Sequence, residues 1–170
     1  MQLITKNFSE LTTRELYEIL KTRQEIFVVE QNCPYMDIDD LDLDATHIFE
    51  WDEATGRVTG CLRVFVREGG DGGKHERDEA EGACAAGEKS GVVAQIGRVV
   101  TLVHGQGLGG ELLHAGVHFA FHNLRAEKIY LHAQTYATGY YAKEGFRVVS
   151  EEFMEDGIPH VEMECVREER

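Results

Sequence analysis

Apolar side chains change their spacing several times along this chain, and each change marks an element. Leu16, Ile19, Leu20, Ile26 and Phe27 recur at near-helical intervals behind the capping-box pair Thr12 and Glu15. A helix is therefore expected from near Thr12 into the upper twenties. The acidic stretch MDIDDLDLDA follows as a loop. His47 to Trp51 and Val58 to Val66 are rich in β-branched and aromatic residues and read as strands, joined by a turn around Glu53–Gly56. Val92 to Val103 is a long β-type run, His104 to Gly110 a glycine-rich turn, and Gly110 to about Asn123 helical. Lys128 to Ala133 reads as a strand, Tyr140 to Lys143 as a short helix ending at Gly145, and Phe146–Ser150 and His160–Val166 as closing strands. Strands and helices that alternate in this way build an α/β (α+β) sheet with helices on its faces.

Residues 68–91 break the rhythm. They hold seven of the eighteen glycines, seven acids and three bases, and almost no bulky apolar side chain. Such a segment buries too little surface to offset the entropy of ordering it. It reads as a flexible acidic insertion in a strand-to-strand connection, since Val64–Val66 before it and Val92–Val93 after it look like sheet neighbours. The 170 residues are expected to form one domain.

The net charge of −14 argues against nucleic-acid and anionic-membrane partners, both of which need a basic footprint. It leans toward a cationic partner such as an amine. Cys33, Cys61, Cys84 and Cys165 form no CxxC and read as scattered reduced thiols. The start MQLITKNFSELTTREL lacks the basic-then-apolar pattern of a signal peptide, and no run nears the ~18 apolar residues of a membrane span. A cytoplasmic protein is expected, with a homodimer left open.

Chemistry concentrates at His104-Gly105-Gln106-Gly107-Leu108-Gly109-Gly110, between a strand and a helix. Glycines let the backbone come close to a ligand, and the free N–H groups and dipole of a helix start favour an anion such as a phosphate or pyrophosphate. Gly105, Gly107 and Gly110 fit G-x-G-x-x-G, so a dinucleotide module is an alternative. That fingerprint wants an acid at the end of the next strand, where Gln134 and Thr135 stand instead. No Lys-Ser or Lys-Thr follows the glycines, so the Walker pattern fails as well.

The segment IGRVVTLVHGQGLGGELL resembles motif A of the GNAT superfamily of acetyl-CoA-dependent N-acetyltransferases. IFVVEQNCPY at Ile26–Tyr35, YYAKEGF at Tyr140–Phe146 and EDGIPHVEM at Glu155–Met163 are similar to its ElaA-like branch. The resemblance covers the chain apart from residues 68–91. It implies the acyl-CoA N-acyltransferase fold, a central mixed, twisted sheet of six to seven strands flanked by helices. It also implies acetyl-CoA as cosubstrate and transfer to a primary amine by direct attack, without a covalent enzyme intermediate. The acetyl-pantetheine arm would lie along Val99, Val100 and Thr101, and the turn His104, Gly105, Gln106, Gly107, Leu108, Gly109 and Gly110 would hold the pyrophosphate. His104 stands where the superfamily has Arg or Gln, and the stretch from Arg98 to the turn is short. Both features motivate a second class, a catalytically weakened acyl-CoA-binding or regulatory protein.

Tyr141 matches the superfamily's general acid, and Glu30 and His160 are candidates for the base that takes the amine proton. Each has a plainer role open to it: a packed tyrosine, a helix-end carboxylate, a turn histidine. Arg98 and Gln134 are expected to be structural or pocket-lining. His114, His118 and His122 share a helical stripe that could bind a metal, but no acid or cysteine partner stands at matching spacing, so an exposed histidine face is expected and no metal.

Overall fold

The computed structural model describes residues 2–67 and 91–167, so the expected insertion lies outside the described residues except for Gly91. Strand β1, Leu3–Asn7, precedes the first helix and was not legible as a strand in the sequence. Thr12 caps helix α1, Thr13–Gln24, by accepting from the Glu15 N–H at 3.2 Å, while Glu15 returns a bond to the Thr12 N–H at 2.8 Å. The helix then loosens into a wider-wound turn, Glu25–Glu30, in which Gln31 N–H reaches back five residues to Ile26 O. Such π-type turns are uncommon and occur often at functional sites.

Strands β2 (Thr46–Asp52) and β3 (Arg57–Val66) form a hairpin, and β4 (Val93–Thr101) pairs antiparallel with β3. Helix α2 (Leu108–His122) crosses to β5 (Lys128–Gln134), which lies parallel to β4. Helix α3 (Thr138–Ala142), two short strands β6 (Arg147–Val148) and β7 (Phe153–Glu155), and β8 (Ile158–Val166) complete the chain. The sheet order is β1-β2-β3-β4-β5-β8, with β6 and β7 both paired to β8 beyond it. That gives seven positions in one mixed sheet, as expected.

Two apolar clusters sit on opposite faces. Leu62, Ile96, Leu112, Leu113, Ile129 and Leu131 pack under α2, and Ile19, Phe49, Cys61 and Val100 pack under α1. Strand β3 feeds both, which explains its nearly unbroken apolar sequence. Helix α2 lies close on the sheet because Gly116 has no side chain: a Cβ there would stand 3.2 Å from Leu62 and 3.3 Å from Ile96.

Several boundaries differ from expectation: α3 starts at Thr138 and ends at Ala142, β8 starts at Ile158, β4 ends at Thr101, and two further shifts have a visible cause. Helix α2 begins at Leu108 rather than Gly110, because Leu108 drops its side chain into the core and Gly107 adopts φ +87° before it. The strand expected over Phe146–Ser150 shrinks to Arg147–Val148, since Phe146 turns inward as core and only those two residues pair with β8.

Candidate functional site

Strands β4 and β5 stay paired for only three residues, Val93 to Gln95 against Lys128 to Tyr130. Beyond Gln95 no pairing joins them, and the parallel pair opens into a cleft of about 980 Å³. A bulge in β4 contributes to the departure. Between the pairs Cys61–Val100 and Arg63–Gly97, both Arg98 and Val99 face the single residue Leu62. Arg98 takes φ +55°, a left-handed conformation unusual for a side-chain-bearing residue. A bulge of this kind leaves one residue off the ladder and re-aims its neighbours.

Arg98 is held in that conformation by an acidic loop. Its Nε lies 2.7 Å from Asp37 Oδ1, and its Nη2 donates to Asp37 O and Asp39 Oδ2, both at 3.1 Å. Arg63 from β3 forks onto Asp39 with two bonds of 2.6 Å. Arg23 from α1, 1% exposed, donates to Asp37 at 2.8 Å and Asp42 at 2.7 Å. Burial alone would raise the Asp42 carboxyl, but the Arg23 hydrogen bond and the Arg23 and Arg63 charges hold it below the usual carboxylate range. Much of the acidic loop is thus neutralised by three arginines from three elements, and the loop forms one wall of the cleft.

At the other end, β4 runs into the glycine turn. Gly105 (φ +78°) and Gly107 (φ +87°) both require the conformation that glycine tolerates best. Gly107 caps α2 without a side chain, so the N–H groups of the first helical turn are left for another partner. A Cβ placed on Gly105, Gly107 or Gly110 meets nothing within 4 Å, so the space above the turn is open. The Tyr140 hydroxyl donates to Gly109 O and ties α3 to the start of α2.

Val99, Val100, Thr101, His104, Gly105, Gly107, Gly109, Gly110, Tyr141 and His160 all line the cleft. Tyr141 stands edge-on to Tyr140 (4.9 Å) and Phe146 (6.1 Å). Burial pushes its phenol up to about 12, and among the described residues its hydroxyl has no hydrogen-bond partner. Gln106 and Leu108 do not line the cleft, and the buried Leu108 side chain leaves only its main chain for a ligand. Glu30 is not among the lining residues either. Its carboxylate meets His104 Nε2 at 3.1 Å across the rim, with both side chains more than half exposed. Arg98 and Gln134 line the cleft as expected, Gln134 donating to Gln31 Oε1 at 3.2 Å.

The histidine stripe is an exposed surface. His118 and His122 stack at 4.1 Å, and His114 Nδ1 lies 3.1 Å from Glu144. No metal-ligating group of three forms among the described residues. Cys33, Cys61 and Cys165 are buried and form no disulfide among the described residues, and no described helix is long and apolar enough to cross a membrane.

Sequence reasoning missed the three-arginine network and Glu155. The network's only advance signal was the run of aspartates itself, which reads as solvated surface. Glu155 sits beside His160 in EDGIPH, but only the β7–β8 hairpin brings the two side chains together.

Residues 77–167 match the family described as acetyltransferase (GNAT) domain. A UPF0039 protein of Mycobacterium tuberculosis is 39% identical over 157 residues, covering 91% of this chain and 86% of its own. A crystal structure of an acyl-CoA N-acyltransferase from Pseudomonas aeruginosa superposes with TM-score 0.76 at 34% identity, over 98% of this chain and 100% of the other. Escherichia coli ElaA superposes with TM-score 0.75 at 30% identity, over 96% and 98%.

Proposed function

The chain belongs to the GNAT acetyltransferase family and has its acyl-CoA N-acyltransferase fold, and from that premise we propose that it moves an acetyl group from acetyl-CoA to a primary amine by direct attack. One observation carries the proposal. A single cleft joins the glycine turn at the start of α2 to a bulged strand, with a partly buried tyrosine and a histidine lining the same space.

Acetyl-CoA supplies an activated thioester. The amides of Leu108, Gly109 and Gly110 would hold its pyrophosphate, and Val99 to Thr101 would pair with its arm as a neighbouring strand does. A main-chain N–H at the bulge would stabilise negative charge on the acyl oxygen. His160 takes the proton from the amine nitrogen as the N–C bond forms. The C–S bond breaks with its electron pair on sulfur, and Tyr141 hydrogen-bonds and protonates that sulfur. His160 then releases its added proton to solvent, and Tyr141 takes one back. Raised to about 12, the Tyr141 phenol keeps its proton across the physiological range. Glu30 acts at the rim through His104.

Thiol release from acetyl-CoA, measured over alkyl amines, a polyamine, an amino sugar and a peptide N-terminus, tests the proposal. Release that depends on an amine supports it, and release with none of them contradicts transfer. A second reading, CoA binding without turnover, is favoured by the Glu30 carboxylate beside His104, where the superfamily carries Arg or Gln. It predicts CoA binding in the absence of thiol release. Cytoplasmic residence and a single 170-residue domain belong to the same proposal.

A further inference from the structure

On the β7–β8 side of the cleft, four polar side chains form a connected row that no part of the coenzyme site uses. His160 Nδ1 lies 2.8 Å from Ile158 O. A carbonyl only accepts, so Nδ1 carries a hydrogen and the neutral ring has a bare Nε2. That nitrogen stands 3.8 Å from Glu155 Oε2. Glu155 in turn accepts from His132 Nδ1 at 3.1 Å, and His132 Nε2 meets the Tyr130 hydroxyl at 2.7 Å. The Phe153 ring fixes the spacing, stacked on His160 at 6.2 Å and edge-on to His132 at 5.2 Å. His132, Glu155 and His160 all line the cleft.

We infer that Glu155 is a positioning residue for the acetyl-transfer base: it stands ready to stabilise the imidazolium formed when His160 Nε2 takes the amine proton, and His132 holds it there. The inference rests on the acetyl-transfer proposal above. It goes further by fixing which nitrogen is the base and by naming the carboxylate that supports it. The arrangement has the form of a histidine whose tautomer is set on one side and whose charge is met on the other. A proton leaving the acceptor nitrogen has only to reach Nε2. The positive charge it creates is then met by a carboxylate already oriented by a second histidine, with no reorganisation needed during the reaction.

The cleft around His160 carries charges of both signs, with Arg63, Arg98 and Lys143 lining it alongside the carboxylates. Glu155 faces it from β7, Asp156 lines the same cleft from the following turn, and His132 reaches it through Glu155 from β5. The charge of Arg98 on β4 reaches Glu155, and its side-chain contacts are taken up by Asp37 and Asp39. The hydrogen bond from His132 holds the Glu155 carboxyl below the usual glutamate range against its partial burial, with the charges of His132, His160 and Arg98 adding to it. Glu155 is therefore an anion wherever the base operates.

Long-range proton–nitrogen NMR on the full chain tests the inference without a known acceptor. The unaltered protein should show His160 with hydrogen on Nδ1 and none on Nε2. In Glu155→Gln, the pH at which Nε2 gains its proton should fall by roughly half to one unit, and in Glu155→Asp by less. An Nε2–H tautomer in the unaltered chain, or a Glu155→Gln titration that superposes on the unaltered one, overturns the inference. The tautomer is read without any variant, so a poorly folding Glu155→Gln would not leave the matter open. Failure of the chain to bind CoA would sink the transfer proposal while leaving the tautomer and titration results as they stand.

Discussion

Arg98, the left-handed residue of the β4 bulge, donates through Nη2 to the main-chain carbonyl of Asp37 at 3.1 Å, across 61 residues of sequence. The strand that would carry the acyl arm and the loop that walls the opposite side are thereby one unit. Arg98→Ala removes the tie while leaving the positive φ to a residue with no side chain able to hold it. Stability should fall by about 1–3 kcal/mol, and turnover should fall more than CoA affinity. Chemical denaturation and steady-state kinetics on the same preparation check both.

The interior of the network is more sensitive. Arg23 is 1% exposed and holds Asp37 and Asp42 together. Arg23→Met leaves two carboxylates short of their partner, at an expected loss of about 3–5 kcal/mol. Asp42→Asn should cost less, because the near-isosteric amide oxygen can still accept the Arg23 hydrogen bond. Urea midpoints separate the two.

The same carboxylates set an acid limit. Asp39 and Asp42 are held below the ordinary carboxylate range in the folded chain, each against burial and by its arginines. Their contribution is fully present above the unfolded value of about 3.9 and is lost as pH falls through their lower folded values. Thermal unfolding should be insensitive to these groups from pH 5 to 7 and should drop steeply below about pH 4. Asp42→Asn should flatten that limb.

Gly107 and Gly110 make opposite predictions for stability and the same one for binding. Gly107→Ala puts a Cβ at φ +87°, a strain of roughly 1 kcal/mol, and tilts the first amides of α2. Gly110→Ala lies inside the helix with open space around its Cβ, so it should stabilise the fold by about 0.5–1 kcal/mol. Both should weaken CoA, the first by misaiming donors and the second by filling the space above the turn. A Gly110→Ala protein that is more stable and binds CoA unchanged would show that the ligand lies elsewhere.

Tyr141→Phe should lower turnover by 10-fold or more, an order-of-magnitude expectation for loss of a general acid, with CoA affinity nearly unchanged. Because the phenol is raised to about 12, no alkaline fall in rate from Tyr141 is expected below about pH 10. Tyr140→Phe removes the bond to Gly109 O and should instead weaken CoA binding by loosening the start of α2. Rate against pH, with titration of both variants by CoA, distinguishes the roles of the neighbouring tyrosines.

The sequence made the sheet, both long helices and the glycine turn legible, because capping residues, apolar spacing and glycine punctuation are local signals. Thr12 and Glu15 form the box that their spacing implies. What stayed hidden depends on partners far along the chain. Strand β1 is five residues with little alternation and exists because β2 offers it an edge. The aspartates at 37, 39 and 42 look like solvated charge until the fold supplies Arg23, Arg63 and Arg98. Glu30 and His160 lie in equally distinctive stretches, yet the fold turns one to the rim and the other into the cleft, and nothing in their local sequence separates them.

Isothermal calorimetry of the folded chain with CoA and with acetyl-CoA tests most directly whether the first amides of α2 hold a diphosphate. Saturable heat with both ligands, weakened in Gly107→Ala, is the predicted result. A protein with a cooperative unfolding transition and no heat from either ligand would contradict the account.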